Sequence, residues 1–280
     1  MRLNEIMMSL EIGLIFGIVA MGIYMTFRVI QFPDLTCDGS FVLGAAVSSV
    51  LIKFGCDPYI SLLASLGAGA LAGAITGILH IQFKITDLLS GILTGFMLYS
   101  INLRIMGGIP NITFINSTTI FSENPMVTLI IIAGSLWIGL AYVLRTDFGL
   151  ALQSVGHNKQ LSRNSGVNVS KMMLLALALS NALIALAGGV FSHHQGFADV
   201  GSGVGTVIVG LLSVMIGERI LPYHSMSIKI LSCLIGSVLY RLLIGLGLHS
   251  EVLGLTTSDL NVLTGIMVII TMCIPRRDPC

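Results

Sequence analysis

Carboxylate and hydroxyl side chains gather in two short stretches of the chain, and they are the groups best suited to hold a polar solute. The first stretch covers residues 31–44 and the second residues 196–210; their candidate residues are Asp34, Thr36, Asp38 and Ser40, and Asp199, Ser202 and Thr206. Such groups can hydrogen-bond a solute, and they can equally accept hydrogen bonds from the free amides at the start of a helix. The sequence leaves both interpretations open, a substrate path or helix capping alone.

The composition indicates that these stretches lie within a membrane protein. Of the 280 residues, 55% are hydrophobic and 10% charged, and the mean hydropathy is +0.96. Because soluble domains are typically about 25% charged, a water-soluble fold is excluded. Long unbroken apolar runs are typical of helices, whereas barrel strands alternate over stretches of about ten residues. We therefore predict an all-α polytopic membrane protein, residues 1–280 forming a single transmembrane domain, and no nucleic-acid binding at a net charge of +1.

Nine apolar windows predict membrane-embedded segments, since a bilayer core needs roughly 20 helical residues. Charged residues bound eight of them, at 11–28, 38–53, 57–84, 87–104, 123–145, 171–199, 199–218 and 259–276. The ninth runs from about 226 to 248, with Lys229 and Arg241 near its ends. The second window is short, so whether residues 40–54 cross the bilayer fully is left open.

Lysine and arginine in the loops predict the orientation, because cytoplasmic loops carry an excess of both. Placing the polar insertion 145–171 in the cytoplasm puts ten of the fourteen basic residues inside, Arg276 and Arg277 among them. The four left outside are Arg2, Lys53, Arg104 and Arg241. We therefore predict the N-terminus outside and the C-terminus inside.

The two polar stretches also resemble each other. Phe32, Asp34, Gly39 and Gly44 match Phe197, Asp199, Gly205 and Gly210, with one residue inserted. The copies are five predicted spans apart, and an odd offset places them on opposite sides of the membrane. This pattern predicts an inverted repeat with broken helices, which in transporters line the substrate path near the bilayer midplane.

Small residues recur every fourth position in the third window, at Ser65, Gly69, Gly73 and Gly77. The spacing stacks them on one helix face and lets another helix approach closely. A contact between subunits is one interpretation, and packing within the same chain is the favoured one.

The insertion 145–171 is the most informative stretch of the sequence. It is polar, helical in pattern up to about Val155, and interrupted by Gly156 and Gly166. Leu150, Leu152 and Val155 provide an apolar patch, so an interfacial or partner-binding helix is predicted.

This insertion resembles the cytoplasmic loop of permease subunits of ATP-binding-cassette importers of the branched-chain amino acid and ribose type. The matching positions are Thr146, Gly149, Ala151, Gly156, Asn158, Gly166 and Val167. The chain departs from the family pattern at Gln153, where arginine is usual, and at Ser154, where alanine is usual. The segments 34–41, 196–200 and 216–218 are similar to those of a subgroup associated with amino-acid uptake, aromatic amino acids included.

The resemblance implies a bacterial inner-membrane protein whose partners are a second permease chain, a cytoplasmic ATP-binding subunit and an extracytoplasmic substrate-binding protein or lipoprotein. The residues expected to couple to the ATPase are Asp147, Phe148, Gly149, Leu152, Gly156 and Asn158. The chain carries no G-x-x-x-x-G-K-[ST] phosphate loop, so ATP is expected to bind to the partner subunit and no cofactor to this chain. The solute, and whether the two permease chains are identical, are left open.

Two other functions compete with this interpretation. A self-sufficient secondary transporter or channel could use the same inverted repeat, but it usually needs ionisable residues inside its spans, and Arg241 is the single charge expected deep in a helix. A membrane enzyme would rest on His193 and His194 alone. Adjacent histidines point to different helix faces and make a poor metal site, so no catalytic or metal-binding residue is predicted.

Overall fold

The structure is a computed structural model that describes residues 3–114, 118–121, 124–221, 225–248 and 260–273. Arg2, Arg276, Arg277 and both chain ends, on which part of the predicted orientation depends, lie outside the described residues. The helices are α1 (Leu3–Tyr24), α2 (Cys37–Lys53), α3 (Pro58–Phe83), α4 (Asp87–Ile105), α5 (Pro125–Arg145), α6 (Asp147–His157), α7 (Lys159–Asn164), α8 (Val169–Gln195), α9 (Thr206–Ile220), α10 (Met226–Leu248) and α11 (Leu260–Cys273). Two short strands are β1 (Asn111–Thr113) and β2 (Phe197–Asp199), a π-helical segment (Met25–Val29) follows α1, and a 3-10 turn (Val200–Gly203) follows β2.

The predicted all-α membrane protein is confirmed, with seven helices in the described part of the chain that are long and apolar enough to cross a bilayer. They comprise α1 with its π-helical extension, α3, α4, α5, α8, α9 with the turn before it, and α10. The windows 38–53 and 259–276 form shorter helices, α2 and α11. With 17 residues, α2 is about 25 Å long, less than a bilayer core of about 30 Å. Nine embedded segments therefore stay a prediction.

Local signals in the sequence determine where several helices begin. Asp57 accepts a hydrogen bond from the Tyr59 amide at 2.8 Å, and Pro58 occupies the first turn of α3. Asn158 and Asn168 cap α7 and α8 in the same way. These side chains satisfy backbone amides that have no partner within their own helix.

Helix α8 is the centre of the bundle and packs against α1, α2 and α3. Glycines permit the closest approaches: a Cβ on Gly69 would overlap the Asn181 carbonyl oxygen, and a Cβ on Gly73 would overlap that of Leu177. The small-residue face of α3 thus packs on α8 of the same chain, which confirms the favoured interpretation of its spacing.

Helix α8 has 27 residues and is about 40 Å long, and its two ends mark the two opposite ends of the bundle. Helices α6 and α7 lie at the end where α8 begins, which we call the α6 end. At the opposite end, the sheet end, β1 pairs antiparallel with β2, with Asn111 opposite Asp199 and Thr113 opposite Phe197.

Helices α2 and α9 run in opposite directions through the bundle. Ser48 of α2 contacts His193 near the sheet end, whereas Glu218 of α9 contacts Arg28 near the α6 end. Each helix begins within the bundle after a non-helical stretch, at Cys37 and at Thr206 respectively. The two polar stretches of the sequence are therefore the entries into two short helices.

Candidate functional site

A set of buried polar side chains, which we call the polar centre, lies where α2, α3 and α8 meet. Asn181 donates to the Asp34 carboxylate at 2.7 Å and accepts from the Ser40 hydroxyl at 2.7 Å. The hydroxyls of Thr36 and Thr76 are 2.8 Å apart. All five members are fully buried: Asp34, Thr36, Ser40, Thr76 and Asn181.

The non-helical stretch before α2 positions Asp34 for these contacts. The Asp34 carboxylate accepts from the Thr36 amide at 2.8 Å, and its carbonyl oxygen accepts from the Cys37 thiol at 3.3 Å. The stretch lies directly against α4, since a Cβ on Gly91 would be 2.7 Å from the Leu35 nitrogen. Because unpaired backbone groups are costly inside a membrane protein, these contacts are what permit an irregular segment there.

Asp38 links the two broken helices. Its carboxylate accepts from the Val207 amide at 2.9 Å and from the Gly205 amide at 3.2 Å, so a residue of α2 caps the N-terminus of α9. A carboxylate at this position also complements the positive end of the helix dipole.

Asp199 and Ser202 lie at the sheet end instead. Asp199 accepts from the Gly201 amide at 2.6 Å and from the Asn111 side chain at 3.1 Å, and Ser202 donates to the Asp199 carbonyl at 2.7 Å. Asp34 and Asp199 thus make the same turn, each accepting from the amide two residues later. The matching stretches share this one hydrogen bond, and the inverted repeat stays a prediction.

The seven predicted path residues therefore form three groups. Asp34, Thr36 and Ser40 are inside the polar centre, Asp38 is at the junction of α2 and α9 beside the buried Thr206, and Asp199 and Ser202 are at the sheet end. Asp38, Asp199 and Ser202 are partly exposed in this conformation, and the other four of the seven are buried. Asn181 and Thr76 were not among the residues predicted from the sequence, although an asparagine within the apolar window 171–199 was a usable signal.

The insertion 145–171 forms α6, α7 and the first turn of α8, as a structured helical loop. Leu152 and Val155 are fully buried against the bundle, whereas Leu150 is 56% exposed and Leu161 of α7 is 64% exposed. The apolar patch predicted from Leu150, Leu152 and Val155 is therefore divided. Two of its residues attach α6 to its own chain, because an amphipathic helix on a protein surface buries its apolar face, and one faces outward.

The other predicted coupling residues divide in the same way. Gly149 packs against the end of α5, where a Cβ would overlap the Leu144 backbone, and Gly156 packs against the Val29 carbonyl. Phe148 is partly buried against the core, while Asp147 and Asn158 are exposed. Their role in docking an ATPase stays a prediction, with Gly149, Leu152 and Gly156 placed to support α6.

Gln153, where the resembling family usually has arginine, has a defined structural contact. Its side-chain amide donates to the Leu144 carbonyl at 3.0 Å, at the C-terminal end of α5. An arginine could donate to the same oxygen, so this departure preserves the junction of α5 with α6.

The adjacent histidines have separate structural partners, as expected from their different helix faces. His193 contacts the hydroxyls of Ser48 at 2.7 Å and Ser61 at 3.1 Å. His194 contacts the Glu11 carboxylate at 2.8 Å. Nowhere in the described ranges do three His, Cys, Asp or Glu residues group as metal ligands would.

Replacing His193 by alanine is expected to destabilise the sheet end by about 2 kcal/mol, because two buried hydroxyls and the Ile120 amide would lose a partner. The thermal unfolding midpoint of detergent-solubilised protein measures the effect. The exposed His157→Ala serves as the matched control. Equal midpoints for the two variants would contradict the assigned contacts.

Comparisons with known proteins agree with this architecture. The family model described as branched-chain amino acid transport system / permease component matches residues 6–272. A tyrosine transport system permease protein of Clostridioides difficile is 37% identical over 92% of this chain and 86% of its own length. The ribose import permease protein of Escherichia coli K12 is 23% identical over 66% of this chain and 60% of its own.

Among solved structures, PsaBC from Streptococcus pneumoniae in complex with Fab has a TM-score of 0.58 at 14% identity, over 97% of this chain and 90% of that one. An inward-facing putative metal-chelate type ABC transporter has a TM-score of 0.52 at 16% identity, over 98% and 87%. At these identities the structural likeness concerns the fold alone. The match over residues 6–272 and the relative of 37% identity show that the chain belongs to the branched-chain amino acid transport system permease family and is a multi-pass protein of the bacterial inner membrane.

Proposed function

We propose that this chain is the membrane-spanning permease subunit of an ATP-binding-cassette importer and forms the translocation path for a small solute. A separate ATPase drives transport, and a binding protein on the other side of the membrane delivers the solute. The observation that carries the proposal is α6, a short amphipathic helix attached across the end of the bundle with one face left exposed. Such a helix is suited to receive a partner, and a chain without a phosphate loop needs one to use ATP.

The α6 end is proposed to be cytoplasmic. Eight basic residues of the described chain belong to this end: Arg28, Lys84, Arg145, Lys159, Arg163, Lys171, Arg219 and Lys229. Lys53, Arg104 and Arg241 belong to the half nearer the sheet end. The positive-inside rule then places the sheet end, with Asp199, on the side of the binding protein, and the N-terminus outside.

The docking face on α6 and α7 is proposed to centre on two exposed leucines, Leu150 and Leu161, with Asp147 and Asn158 beside them. Exposed leucines at the aqueous end of a membrane protein favour a protein partner, since contact with one removes apolar surface from water. Leu152 and Gly156 contribute from the opposite face by holding α6 against the bundle.

Replacing both Leu150 and Leu161 by alanine is expected to weaken ATPase association by about tenfold, as two interface anchors are lost. Ile138→Ala on α5 is the matched control, because Ile138 is equally exposed, at 62%, but lies within a span. Co-purification of the ATPase at graded salt measures the difference. Retention as strong as in the control would place the docking face elsewhere.

The path itself is proposed to run between two permease chains, with Asp38, Asp199 and Ser202 as the accessible polar groups of each. Asp34, Thr36, Ser40 and Thr206 support this path in the present conformation and become accessible when the broken helices move. A homodimer is the expected assembly, and alternating access switches the path between the two sides.

The solute is proposed to be an amino acid or a related compound, aromatic amino acids included. The tyrosine transport permease of Clostridioides difficile supports this, at 37% identity over nearly the whole chain. Hydroxyl and carboxylate groups along the path suit a small polar or amphipathic solute.

Uptake into proteoliposomes containing the permease, its ATPase and its binding protein tests the proposal, with radiolabelled L-tyrosine as the first probe. Uptake that requires ATP and the binding protein is expected. The competing function, a secondary transporter, predicts uptake by the permease alone, driven by a proton or sodium gradient. That result would overturn the proposed function.

A further inference from the structure

We propose that the π-helical segment Met25–Val29 transmits the movement of α6 to the start of α9, with Gly156, Arg28 and Glu218 as the positioning residues. The inference rests on the proposed function, in which an ATPase moves α6. It assigns a route through the protein that the motifs of the sequence do not indicate.

The first step of the route is a contact between two backbones. Gly156 lies so close to the π-helical segment that a Cβ on it would overlap the Val29 carbonyl oxygen and lie 3.2 Å from the Ile30 Cα. No side chain separates the two elements at this point. A displacement of α6 toward the bundle therefore passes directly to the end of the π-helical segment, because close-packed interiors transmit strain.

The second step is the segment itself, whose hydrogen bonding is irregular. The Phe32 amide donates to the Thr26 carbonyl at 2.8 Å, and Gln31 has a φ of 52°, which is uncommon for a residue other than glycine. Single π-helical turns are frequent at functional sites. A cavity of about 300 Å³ lies beside the segment, lined by Phe27, Arg28, Gln31 and Pro33, so the turn has space in which to change.

The third step is an ion pair between the segment and α9. The Arg28 guanidinium is 2.5 Å from the Glu218 carboxylate, in the last turn of α9. Glu218 belongs to the segment 216–218, one of the three that resemble the amino-acid uptake subgroup. Helix α9 extends about 18 Å from Glu218 to Thr206.

A further contact connects the start of α9 to α2. Asp38 caps α9 through the Gly205 and Val207 amides, and Asp38 follows the π-helical segment by only nine residues. Arg28 of the π-helical segment therefore holds the end of α9, and Asp38 of α2 holds its start. We call these contacts the frame: Gly156 with Val29, Arg28 with Glu218, and Asp38 with the first amides of α9. When α6 moves, the frame moves α2 and α9 together.

Site-directed labelling of the full permease–ATPase complex in nanodiscs tests the route without knowledge of the solute. Val204, at the entry to α9, is 80% exposed. In a background with Cys56, Cys273 and Cys280 replaced by serine, the rate at which a water-soluble maleimide labels Val204→Cys is measured with and without ATP and vanadate. Nucleotide is expected to change the rate at least about fivefold in this parent, as for a typical coupling between sites.

Breaking the frame is expected to remove that response. Arg28→Gln should reduce the nucleotide-dependent change to less than about twofold while the ATPase still co-purifies. Gly156→Ala, which forces α6 away from the Val29 carbonyl, should reduce the change as well. The charge exchange Arg28→Glu with Glu218→Arg should restore it, which a loss of general stability would not. Gly139→Ala on α5, where a Cβ meets nothing within 4 Å, is the matched control and should respond like the parent.

Each contrary result would refute a different part of the proposal. A parent that binds the ATPase but shows no response at Val204→Cys, or an Arg28→Gln variant that responds as strongly as the parent, overturns the route. Failure of the charge exchange to restore the response assigns Arg28 a structural role alone and overturns its part in the frame. A parent that binds no ATPase refutes the proposed function, and the route with it.

Discussion

Replacing Asp34 by alanine is expected to lower the free energy of unfolding by about 3 to 5 kcal/mol, because it leaves buried donors without an acceptor. The Thr36 amide and the Asn181 side chain both donate to this carboxylate, and both residues are fully buried. Asp34→Asn should cost less, since the amide oxygen of asparagine can still accept from Thr36. The expected order of stability is wild type, Asp34→Asn, Asp34→Ala.

The thermal unfolding midpoint in detergent measures this order, with a decrease on the order of 10 °C expected for Asp34→Ala. Asp199→Ala is the matched control, because Asp199 makes the same turn at the sheet end with accessible surface. We expect it to stay within about 1 kcal/mol of the wild type. If Asp34→Ala is as stable as Asp199→Ala while uptake is lost, Asp34 acts on the solute rather than in the polar centre.

Replacing Gly73 by leucine is expected to lower the stability of the protein and its yield in folded form. A Cβ at this position already overlaps the Leu177 carbonyl, and a leucine would force α3 and α8 apart along their main contact. Overpacking typically costs about 1 to 3 kcal/mol, and separating two backbones costs at least as much as the upper value. A loss of this size is a large share of a total stability of about 5 to 15 kcal/mol, so the yield of folded protein should fall.

Gly67 provides the control on the same helix, because a Cβ there meets nothing within 4 Å. Gly67→Leu should match or slightly exceed the wild type in stability, since leucine favours a helix more than glycine does. The yield of monodisperse protein on size-exclusion chromatography measures both variants. Normal yield of Gly73→Leu would mean that α3 does not pack on α8 as described.

The sequence predicted the helical windows and the face of α3 because both depend on local patterns. An apolar run of sufficient length indicates a membrane-spanning helix by itself. The spacing of Gly69 and Gly73 indicates by itself a helix face that another helix can approach closely. The second window, at 38–53, is short in the sequence, and it forms the short helix α2 (Cys37–Lys53).

The polar centre and the frame could not be predicted in the same way. Asn181 and Asp34 are 147 residues apart in the chain, and Arg28 and Glu218 are 190 apart. Such pairings depend on how helices pack and not on motifs. The same limit applies to Leu152, because an amphipathic pattern shows that a helix has an apolar face but not whether its own bundle or a partner covers it.

The structure connects the two informative parts of the sequence. The insertion 145–171 and the stretch 31–44 are far apart in the chain, yet Gly156 of α6 contacts Val29, two residues before that stretch begins. Helix α6, where we propose that an ATPase docks, and the broken helices are therefore parts of one contact network.

Affinity purification of the detergent-solubilised chain from its own host membrane, with identification of the proteins that co-purify, tests the central claim most directly. We predict a nucleotide-binding subunit in stoichiometric amount, released by the paired Leu150→Ala and Leu161→Ala substitutions. A preparation that contains no ATPase and still moves solute across liposomes under an ion gradient would contradict the account and establish a secondary transporter.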